Sequence, residues 1–168
     1  MAAGDPGLAT VQILFLRHAD AGDPLAWTGP DEDRPLSQKG ERQAERAARH
    51  LESIGAIPDV ILSSPRLRAF QTAEAVAQRL GQEVVISDPL GSSFDVASLG
   101  AILEDAGGPS RPLLVGHDPD FSMAVSDLVG ASITVRKGAL VRVDAALPLA
   151  DGRGELRWLI PPDALKER

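Results

Sequence analysis

The dipeptide Arg17-His18 directly follows the apolar run from Val11 to Leu16. An arginine side chain is a permanent cation that can grip a phosphate through two parallel hydrogen bonds. A neutral histidine is a nucleophile that can accept a phosphoryl group. A strand that ends in these two residues therefore predicts a site that handles phosphate.

Two more polar segments begin where an apolar run ends. The segment after Val60-Ile61-Leu62 carries Arg66 and Arg68, and His117 follows Val115-Gly116. An arginine in the first turn of a helix opposes the positive end of the helix dipole, unless an anion is bound there. We therefore expect Arg68 to grip phosphate and Arg66 to lie at the rim or on the surface. His117 is expected to donate to phosphoryl oxygens, and a structural polar residue lining the core is the alternative.

The remaining polar candidates favour structural roles. His50 lies beside Arg49 within a predicted helix, so a solvated helix position is expected. Asp118 suits the N-cap of the next helix better than a catalytic acid.

A metal site can be drawn from four side chains: Asp20, His18, His117 and Asp118. Their spacing matches no recognised ligand pattern, and Arg17 and Arg68 would repel a divalent cation. The chain also lacks a Gly-rich P-loop. We therefore expect neither a metal nor a cofactor.

Strands and helices alternate along the chain between Val11 and Val129. Helix N-caps are predicted at four positions: Ser37, Ser64 (with Pro65 as first helical residue), Asp95 and Asp118 (followed by Pro119). Helix ends are predicted at four glycine positions: Gly55, Gly81, Gly107-Gly108 and Gly130. Short buried strands are predicted at Val11–Leu16, Val60–Leu62, Val84–Ile86 and Pro112–Val115.

This alternation predicts an α/β fold with three layers, in which helices flank a mainly parallel sheet. Leu140–Val143 and Leu156–Ile160, joined by a Gly-rich turn, are expected to pair as an antiparallel edge near the C-terminus. Ligands of open α/β sheets bind outside the carboxyl ends of the strands. Arg17-His18, Arg68 and His117 should therefore converge.

The composition argues against several classes of function. The chain has 168 residues, a formal net charge of -7 and no cysteine. The charge argues against general binding to nucleic acid or anionic membranes, and the lack of cysteine excludes disulfides and thiol nucleophiles. No apolar run approaches the roughly 20 residues of a membrane span, and no secretory signal is recognisable. We expect a cytoplasmic protein with a disordered tail at 1–9 and a single domain at 10–168; its oligomeric state stays open.

Three motifs in this order resemble the histidine phosphatase (phosphoglycerate-mutase-like) superfamily. They are Leu16-Arg17-His18-Ala19, the segment from Ser63 to Ala73 that contains Arg68-Ala69-Phe70-Gln71-Thr72, and Val115-Gly116-His117-Asp118-Pro119. The segment Asp33–Gly40 and the short chain resemble the small SixA-type phosphohistidine phosphatase branch. The resemblance implies that His18 is the phosphorylated nucleophile and that Arg17, Arg68 and His117 complete the phosphate pocket. The broad family usually has glycine where this chain has Ala19, which marks a subtype.

The general acid is the least defined part of the expected site. Larger relatives carry a carboxylic acid on an inserted segment after the third strand, and here that stretch is only Ser87–Asp95. Asp20 is the leading candidate for an acid or a substrate contact, ahead of Asp88 and Asp95. The resemblance implies a metal-independent phosphatase that acts on a phosphorylated substrate, first of all phosphohistidine on a protein. Two alternatives stay open: a small-molecule phosphomonoesterase on the same site, and a catalytically silent phosphate-binding module.

Overall fold

A six-stranded sheet forms the centre of the computed structural model, which describes residues 8–166. The strands are β1 (Thr10–Arg17), β2 (Val60–Ser63), β3 (Val84–Ile86), β4 (Pro112–Gly116), β5 (Leu140–Ala146) and β6 (Gly154–Ile160). Their order in the sheet is β3-β2-β4-β1-β5-β6. The first four strands in that order pair in parallel, whereas β5 is antiparallel to both β1 and β6. The predicted mainly parallel sheet with an antiparallel C-terminal edge is confirmed.

Four helices cover the two faces of this sheet. They are α1 (Gln38–Ser53), α2 (Leu67–Leu80), α3 (Val96–Asp105) and α4 (Asp120–Val129). Ile13 and Phe15 of β1 pack into the core that contains α3 and α4. Leu14 and Leu16 pack into the core that contains α1 and α2. Because both faces of β1 are buried, its sequence is a continuous apolar run rather than an alternating one, and burying each such side chain stabilises the fold by about 1.5–3 kcal/mol.

Three predicted helix ends agree with the structure. The side chain of Ser37 caps α1 by accepting a hydrogen bond from the Gly40 N–H at 3.1 Å. Asp95 caps α3 by accepting from the Ser98 N–H at 2.8 Å. Gly81 ends α2 with φ at +66°, a left-handed conformation that favours glycine.

The predicted start of α2 at Ser64-Pro65 is wrong, because this helix begins at Leu67. Ser64 continues the strand ladder instead: its N–H donates to the Val115 carbonyl at 3.0 Å. Its buried hydroxyl lies 2.7 Å from Nε2 of His117. A serine before a proline carries the same local signal in either role, and the long-range contact with β4 decides between them.

The predicted N-cap at Asp118 is displaced by one residue, since α4 begins at Asp120 with Pro119 as its N-cap. The Asp118 carboxylate still satisfies this helix end by accepting from the Ser122 N–H at 3.0 Å. Asp118 therefore stabilises the start of α4 from just outside the N-cap.

The predicted disordered tail at 1–9 falls mostly outside the described residues, because the description begins at Leu8. The carbonyl of Ala9, the last residue of that predicted tail, accepts a hydrogen bond from the Leu147 N–H at 2.8 Å. None of the helices within residues 8–166 is long and apolar enough to cross a membrane. The cytoplasmic location stays an expectation.

Candidate active site

The parallel sheet brings His18 and His117 together, although 98 residues separate them. His18 directly follows β1 and His117 directly follows β4, and the pairing of these strands places Arg17 opposite Gly116. The His18 N–H donates to the Gly116 carbonyl at 2.9 Å. As a result, the two imidazole rings lie 5.1 Å apart between their centroids.

The His18 ring is buried and held in one orientation. Nδ1 of His18 lies 2.8 Å from the carbonyl oxygen of Ala19. Because a carbonyl oxygen only accepts, Nδ1 carries the proton and the lone pair of Nε2 is free. Burial lowers the pKa of His18 to about 3, and the nearby positive charges of Arg68 and Arg17 act in the same direction. His18 is therefore neutral at physiological pH.

The His117 ring lies against β2. Its Nε2 is 2.7 Å from the Ser64 hydroxyl, and within residues 8–166 its buried Nδ1 has no hydrogen-bond partner. Burial, followed by the charges of Arg68, Arg66 and Arg17, lowers the pKa of His117 to about 3. This second imidazole is likewise neutral, with one unpaired nitrogen.

Arg17 belongs to a hydrogen-bonded group with Asp118, Ser122 and Val135, which we call the Arg17 network. Arg17 Nη1 donates to the Val135 carbonyl at 2.9 Å and to Asp118 Oδ2 at 3.3 Å. The Ser122 hydroxyl donates to Asp118 Oδ2 at 2.6 Å and accepts from the Val135 N–H at 2.9 Å. The network thus joins the end of β1 to the start of α4 and to the loop before β5.

Arg68 is held by the carboxylate of Asp31, in the second of two short 3₁₀ helices between β1 and α1, Pro24–Ala26 and Asp31–Asp33. Arg68 Nη1 donates to the Asp31 carbonyl at 2.8 Å, and Nη2 donates to Oδ2 at 3.0 Å. The same carboxylate accepts from Arg34 Nε at 3.0 Å and from Arg66 Nη1 at 3.3 Å. The Arg34 bond comes first among the causes that lower the pKa of Asp31. We call these four residues the Asp31 cluster.

Three buried nitrogens of the site have no hydrogen-bond partner within residues 8–166. They are Arg17 Nε, Arg68 Nε and His117 Nδ1, and they come from three separate segments of the chain. A buried polar group without a partner costs about 1–3 kcal/mol, and such groups call for an explanation. The side chains that carry these nitrogens lie close to His18, where they could donate hydrogen bonds to the oxygens of a tetrahedral oxyanion. The arrangement can therefore bind a phosphoryl group next to a neutral imidazole nucleophile.

The three predicted acid candidates are poorly suited to donate a proton. The Asp20 carboxylate accepts from the Ser37 hydroxyl at 2.5 Å, and this bond is the first cause of its lowered pKa. The pKa of Asp95 is also lowered, first by its bond to the Ser98 backbone. Asp88 is exposed on a 3₁₀ turn after β3. Asp20 lies in the loop that follows His18 and remains a candidate substrate contact.

Sequence reasoning missed three residues of this region: Asp31, Ser64 in its contact with His117, and Asp120. Burial, with the nearby charge of Asp118, raises the pKa of the half-buried Asp120 carboxyl. The sequence does contain a signal for Asp120, because this carboxyl follows His117 by three residues and lies at the start of a helix. The contacts of Asp31 with Arg66 and Arg68 span 35 and 37 residues between loops, and no periodic pattern marks them.

The structure also bears on the predictions for Arg66, for His50 and for a metal site. Arg66 is more exposed than Arg68, with 38% against 7% of the side chain accessible. His50 lies in the last turn of α1, at the opposite end of that helix from Ser37. Among residues 8–166, no group of three or more His, Asp or Glu side chains is arranged to hold a metal ion.

Comparison with known proteins gives matches of both sequence and fold. Residues 13–91 match the family model of the histidine phosphatase superfamily (branch 1). A protein of uncharacterised function from Picosynechococcus sp. is 31% identical over 90% of this chain and 100% of its own length. The 8-oxo-(d)GTP phosphatase of Mycolicibacterium smegmatis is 32% identical over 62% of this chain, which corresponds to 33% of that protein.

Among solved structures, the protein histidine phosphatase SixA complexed with tungstate superposes with a TM-score of 0.80. It is 26% identical in sequence, and the match covers 93% of this chain and 100% of the other.

Proposed function

Because this chain belongs to the histidine phosphatase superfamily, in its SixA-type branch, we propose that it hydrolyses phosphohistidine on other proteins through a phosphorylated His18. The family supplies the reaction class, a phosphatase that works through a phosphohistidine intermediate. The protein substrate and the residue roles below are the proposal.

The reaction takes two steps. In the first, Nε2 of His18 attacks phosphorus, the bond from phosphorus to the substrate imidazole breaks, and solvent protonates the leaving nitrogen. In the second, water attacks phosphorus, the bond to Nε2 breaks, and inorganic phosphate leaves with the oxygen of that water. Arg17, Arg68 and His117 bind the phosphoryl oxygens in both steps, where negative charge shifts during transfer.

The observation that carries the proposal is a neutral His18 with a free Nε2, close to the side chains of Arg17, Arg68 and His117. The Nδ1 contact with the Ala19 carbonyl fixes which nitrogen attacks. A pKa of about 3 means that no deprotonation step is needed at neutral pH. The unpaired nitrogens of Arg17, Arg68 and His117 are the kind of group that a phosphoryl oxygen satisfies.

The leaving group favours phosphohistidine over alkyl phosphates. An alkoxide has a conjugate acid with a pKa of about 16, close to that of water, so its departure needs a well-placed acid. An imidazole has a reference pKa of about 6.5 and can take its proton from solvent. Lowered pKa values hold Asp20 and Asp95 ionised, which suits a reaction that needs no strong acid.

A protein substrate is also supported by the surface beside the site. The loop that carries Asp31 also carries Leu25, which is 94% exposed, and Trp27, which is 38% exposed. Exposed apolar side chains next to a polar site are typical of surfaces that contact other proteins. Asp31 of this loop contacts Arg68, so a protein docked on Leu25 and Trp27 would lie close to the phosphate pocket.

We propose further that the reaction needs no metal ion. Four cationic or neutral nitrogen side chains surround the expected phosphoryl position, and a divalent cation there would be repelled by Arg17 and Arg68. EDTA is expected to leave turnover of 4-nitrophenyl phosphate unchanged. Inhibition by EDTA that one added divalent metal reverses would contradict this proposal.

A small-molecule phosphomonoesterase is the second candidate. The observation that favours it is the 32% identity with the 8-oxo-(d)GTP phosphatase, over 62% of this chain. Asp120, whose carboxyl pKa is raised, is the residue to examine for proton donation to an ester oxygen. This candidate would be established over the first if a sugar or nucleotide phosphate is hydrolysed fast and one carboxylate variant abolishes that activity. The variants to test are Asp120→Asn, Asp20→Asn, Asp88→Asn and Asp95→Asn.

The deciding experiment traps the intermediate. Rapid quench with ³²P-labelled phosphohistidine protein should leave alkali-stable, acid-labile label on the wild type and on His50→Ala, and none on His18→Ala. The kcat/KM values should rank phosphohistidine and aryl phosphates above alkyl phosphates. Label retained by His18→Ala would exclude His18 as nucleophile. Phosphate binding without turnover of any substrate would instead establish the silent module.

A further inference from the structure

A cleft of about 270 Å³ is lined by Arg17, one of the residues of the proposed phosphate pocket. We call it the basic cleft. Its walls include Arg17, Asp20, Lys39, Gln43, Arg136 and Lys137. Arg17 is the last residue of β1 and Asp20 lies two residues past His18, so the residues on both sides of His18 in the chain line this cleft.

One wall of the basic cleft is tied to the backbone of the nucleophile. The Gly138 N–H lies 3.1 Å from the Arg17 carbonyl oxygen and 3.2 Å from that of His18. On the other side of the Arg136-Lys137 pair, the Val135 carbonyl accepts from Arg17 Nη1 at 2.9 Å. The two cations are thus carried by a short segment that is anchored at both ends beside His18.

The opposite wall is the first turn of α1, which carries Lys39. The Asp20 N–H donates to Oε1 of Gln43 at 2.9 Å, and the Ser37 N–H donates to the Asp20 carbonyl at 3.0 Å. Gly40 packs so closely on the Asp20 carbonyl that a Cβ atom would have no room there. Lys39 is therefore held at a fixed distance from the loop that follows His18.

The charges of the basic cleft are predominantly positive. Lys39, Arg136 and Lys137 form no ion pair with any carboxylate of the described residues. Lys39 also lies in the first turn of α1, where a cation opposes the helix dipole.

Two carboxylates face these cations, and both already have donors. Asp20 accepts from Ser37 and Gly22, and Asp163 pairs with Lys166 at 3.0 Å. Arg17 is paired with Asp118, so Lys39, Arg136 and Lys137 face these two carboxylates and leave the cleft with excess positive charge, in a chain whose formal net charge is -7.

We propose that the basic cleft binds a second oxyanion of the substrate, beside the phosphoryl group that His18 accepts. This inference rests on the proposed function and deepens it by defining the substrate class: a phosphorylated molecule with another phosphate or carboxylate close to the scissile group. The second oxyanion has two sources, acidic side chains that flank a phosphohistidine and a second phosphate on a small molecule. Lys39, Arg136 and Lys137 select for it, and Arg17 contacts both groups.

The experiment compares matched substrates that differ only in the second anion. One arm uses phosphohistidine peptides flanked by two glutamates or by two glutamines. The other uses an aryl monophosphate and the corresponding aryl bisphosphate. The ratio of kcat/KM within each pair is measured for the wild type, for Lys39→Gln/Lys137→Gln and for Arg153→Gln. Arg153 is an exposed arginine in the turn before β6, at the opposite end of β5 from the site.

The wild type should prefer the substrate with two anions by at least tenfold in one arm, and that arm identifies the source. The double variant should lower this ratio about tenfold, whereas Arg153→Gln should leave it unchanged. If the wild type turns over all substrates well but the ratio of kcat/KM is near one in both arms, the proposal for the basic cleft is wrong. The proposed function is then unaffected.

If no substrate is turned over, the proposed function fails and calorimetry decides on the cleft. Pyrophosphate should then bind the wild type at least tenfold more tightly than orthophosphate, with the difference reduced in the double variant. Equal affinities would overturn the inference.

Discussion

The two arginines of the proposed phosphate pocket are held in very different ways. Arg17 donates to the Val135 carbonyl and to Asp118, and both partners lie in segments that α4 and β5 anchor. Arg68 donates to Asp31, whose side chain is 48% exposed on a 3₁₀ turn. Arg17 therefore belongs to a partly buried network that joins several elements, whereas the more deeply buried Arg68 is held by a carboxylate at the surface.

This difference predicts which arginine would exchange partners when an anion binds. The Asp31 carboxylate accepts from Nη2 of Arg68, so a phosphoryl oxygen that approaches this guanidinium competes with the carboxylate for its positive charge. Arg17 has Asp118 and Val135 as partners of Nη1, and the Nε of each arginine has no partner within residues 8–166. We therefore expect the Arg17 network to keep its contacts when an anion binds and the bond between Arg68 and Asp31 to weaken.

The largest effect is expected from removing Arg68. Truncating one partner of a buried charged hydrogen bond costs about 2–5 kcal/mol, so Arg68→Ala should weaken vanadate binding by more than tenfold. Arg66→Ala removes the more exposed arginine of the same cluster and should have a much smaller effect. Isothermal titration of both variants with vanadate measures the difference. Equal losses would mean that the anion is held by the rim rather than by the buried guanidinium.

The next largest effect is on the Arg17 network and appears as lost stability. Asp118→Asn weakens the bonds to Arg17 and Ser122, and hydrogen bonds to charged groups contribute about 1.5–3 kcal/mol. We expect the free energy of unfolding in urea to fall by that amount, together with weaker vanadate binding. Asp127→Asn, at an exposed position of α4, is the control and should change neither quantity. An Asp118→Asn variant as stable as the wild type would show that the network does not stabilise the fold.

Stability should also fall as the pH falls below about 6.5. The pKa of both His18 and His117 is about 3 in the folded protein, against 6.5 for the unfolded chain. Between these values the unfolded state binds more protons, so acid favours unfolding, by up to about 1.4 kcal/mol per pH unit for each histidine.

Urea unfolding at pH 7, 6, 5 and 4 measures this slope, and His18→Ala and His117→Ala should each reduce it. A slope that neither substitution changes would mean that these imidazoles titrate normally.

The smallest effect tests the exchange at Arg68. Asp31→Asn removes a competing negative charge but keeps the backbone carbonyl that accepts from Arg68 Nη1. Vanadate should then bind about two- to fivefold more tightly, with a stability change below about 1 kcal/mol, as is usual for exposed ion pairs. Glu32→Gln changes the same charge one residue away and serves as the control. Weaker binding in Asp31→Asn would mean that the carboxylate orients Arg68 rather than competing with the substrate.

The same comparison shows what the sequence could predict. Arg17 and His117 were recognisable because each follows a buried strand, and parallel strands bring their carboxyl ends to one edge. The alternation of strand and helix predicted the parallel part of the sheet, and the Gly-rich turn between Leu140–Val143 and Leu156–Ile160 predicted the antiparallel C-terminal edge. These features depend on short-range patterns and on one rule of topology.

The errors lie where a contact between distant segments decides a residue's role. Ser64 carries a helix-cap signal, yet its hydroxyl contacts His117, 53 residues away. Asp31 lies in a loop without periodicity, and its bonds to Arg66 and Arg68 depend on how that loop folds over the start of α2. The low pKa of Asp20 likewise depends on Ser37, 17 residues further along the chain.

The position of β1 in the sheet determines how late in synthesis the site can form. The two neighbours of β1 are β4 and β5, and the loop that anchors the His18 backbone precedes β5. At about 5–20 residues per second, a ribosome needs roughly 6 to 26 s to extend the chain from Arg17 to Ala146. Neither partner of β1 exists until β4 has been synthesised at Pro112–Gly116, and β5 is complete only at Ala146. The proposed phosphate pocket, although it begins at residue 17, is therefore one of the last parts of this protein to be assembled.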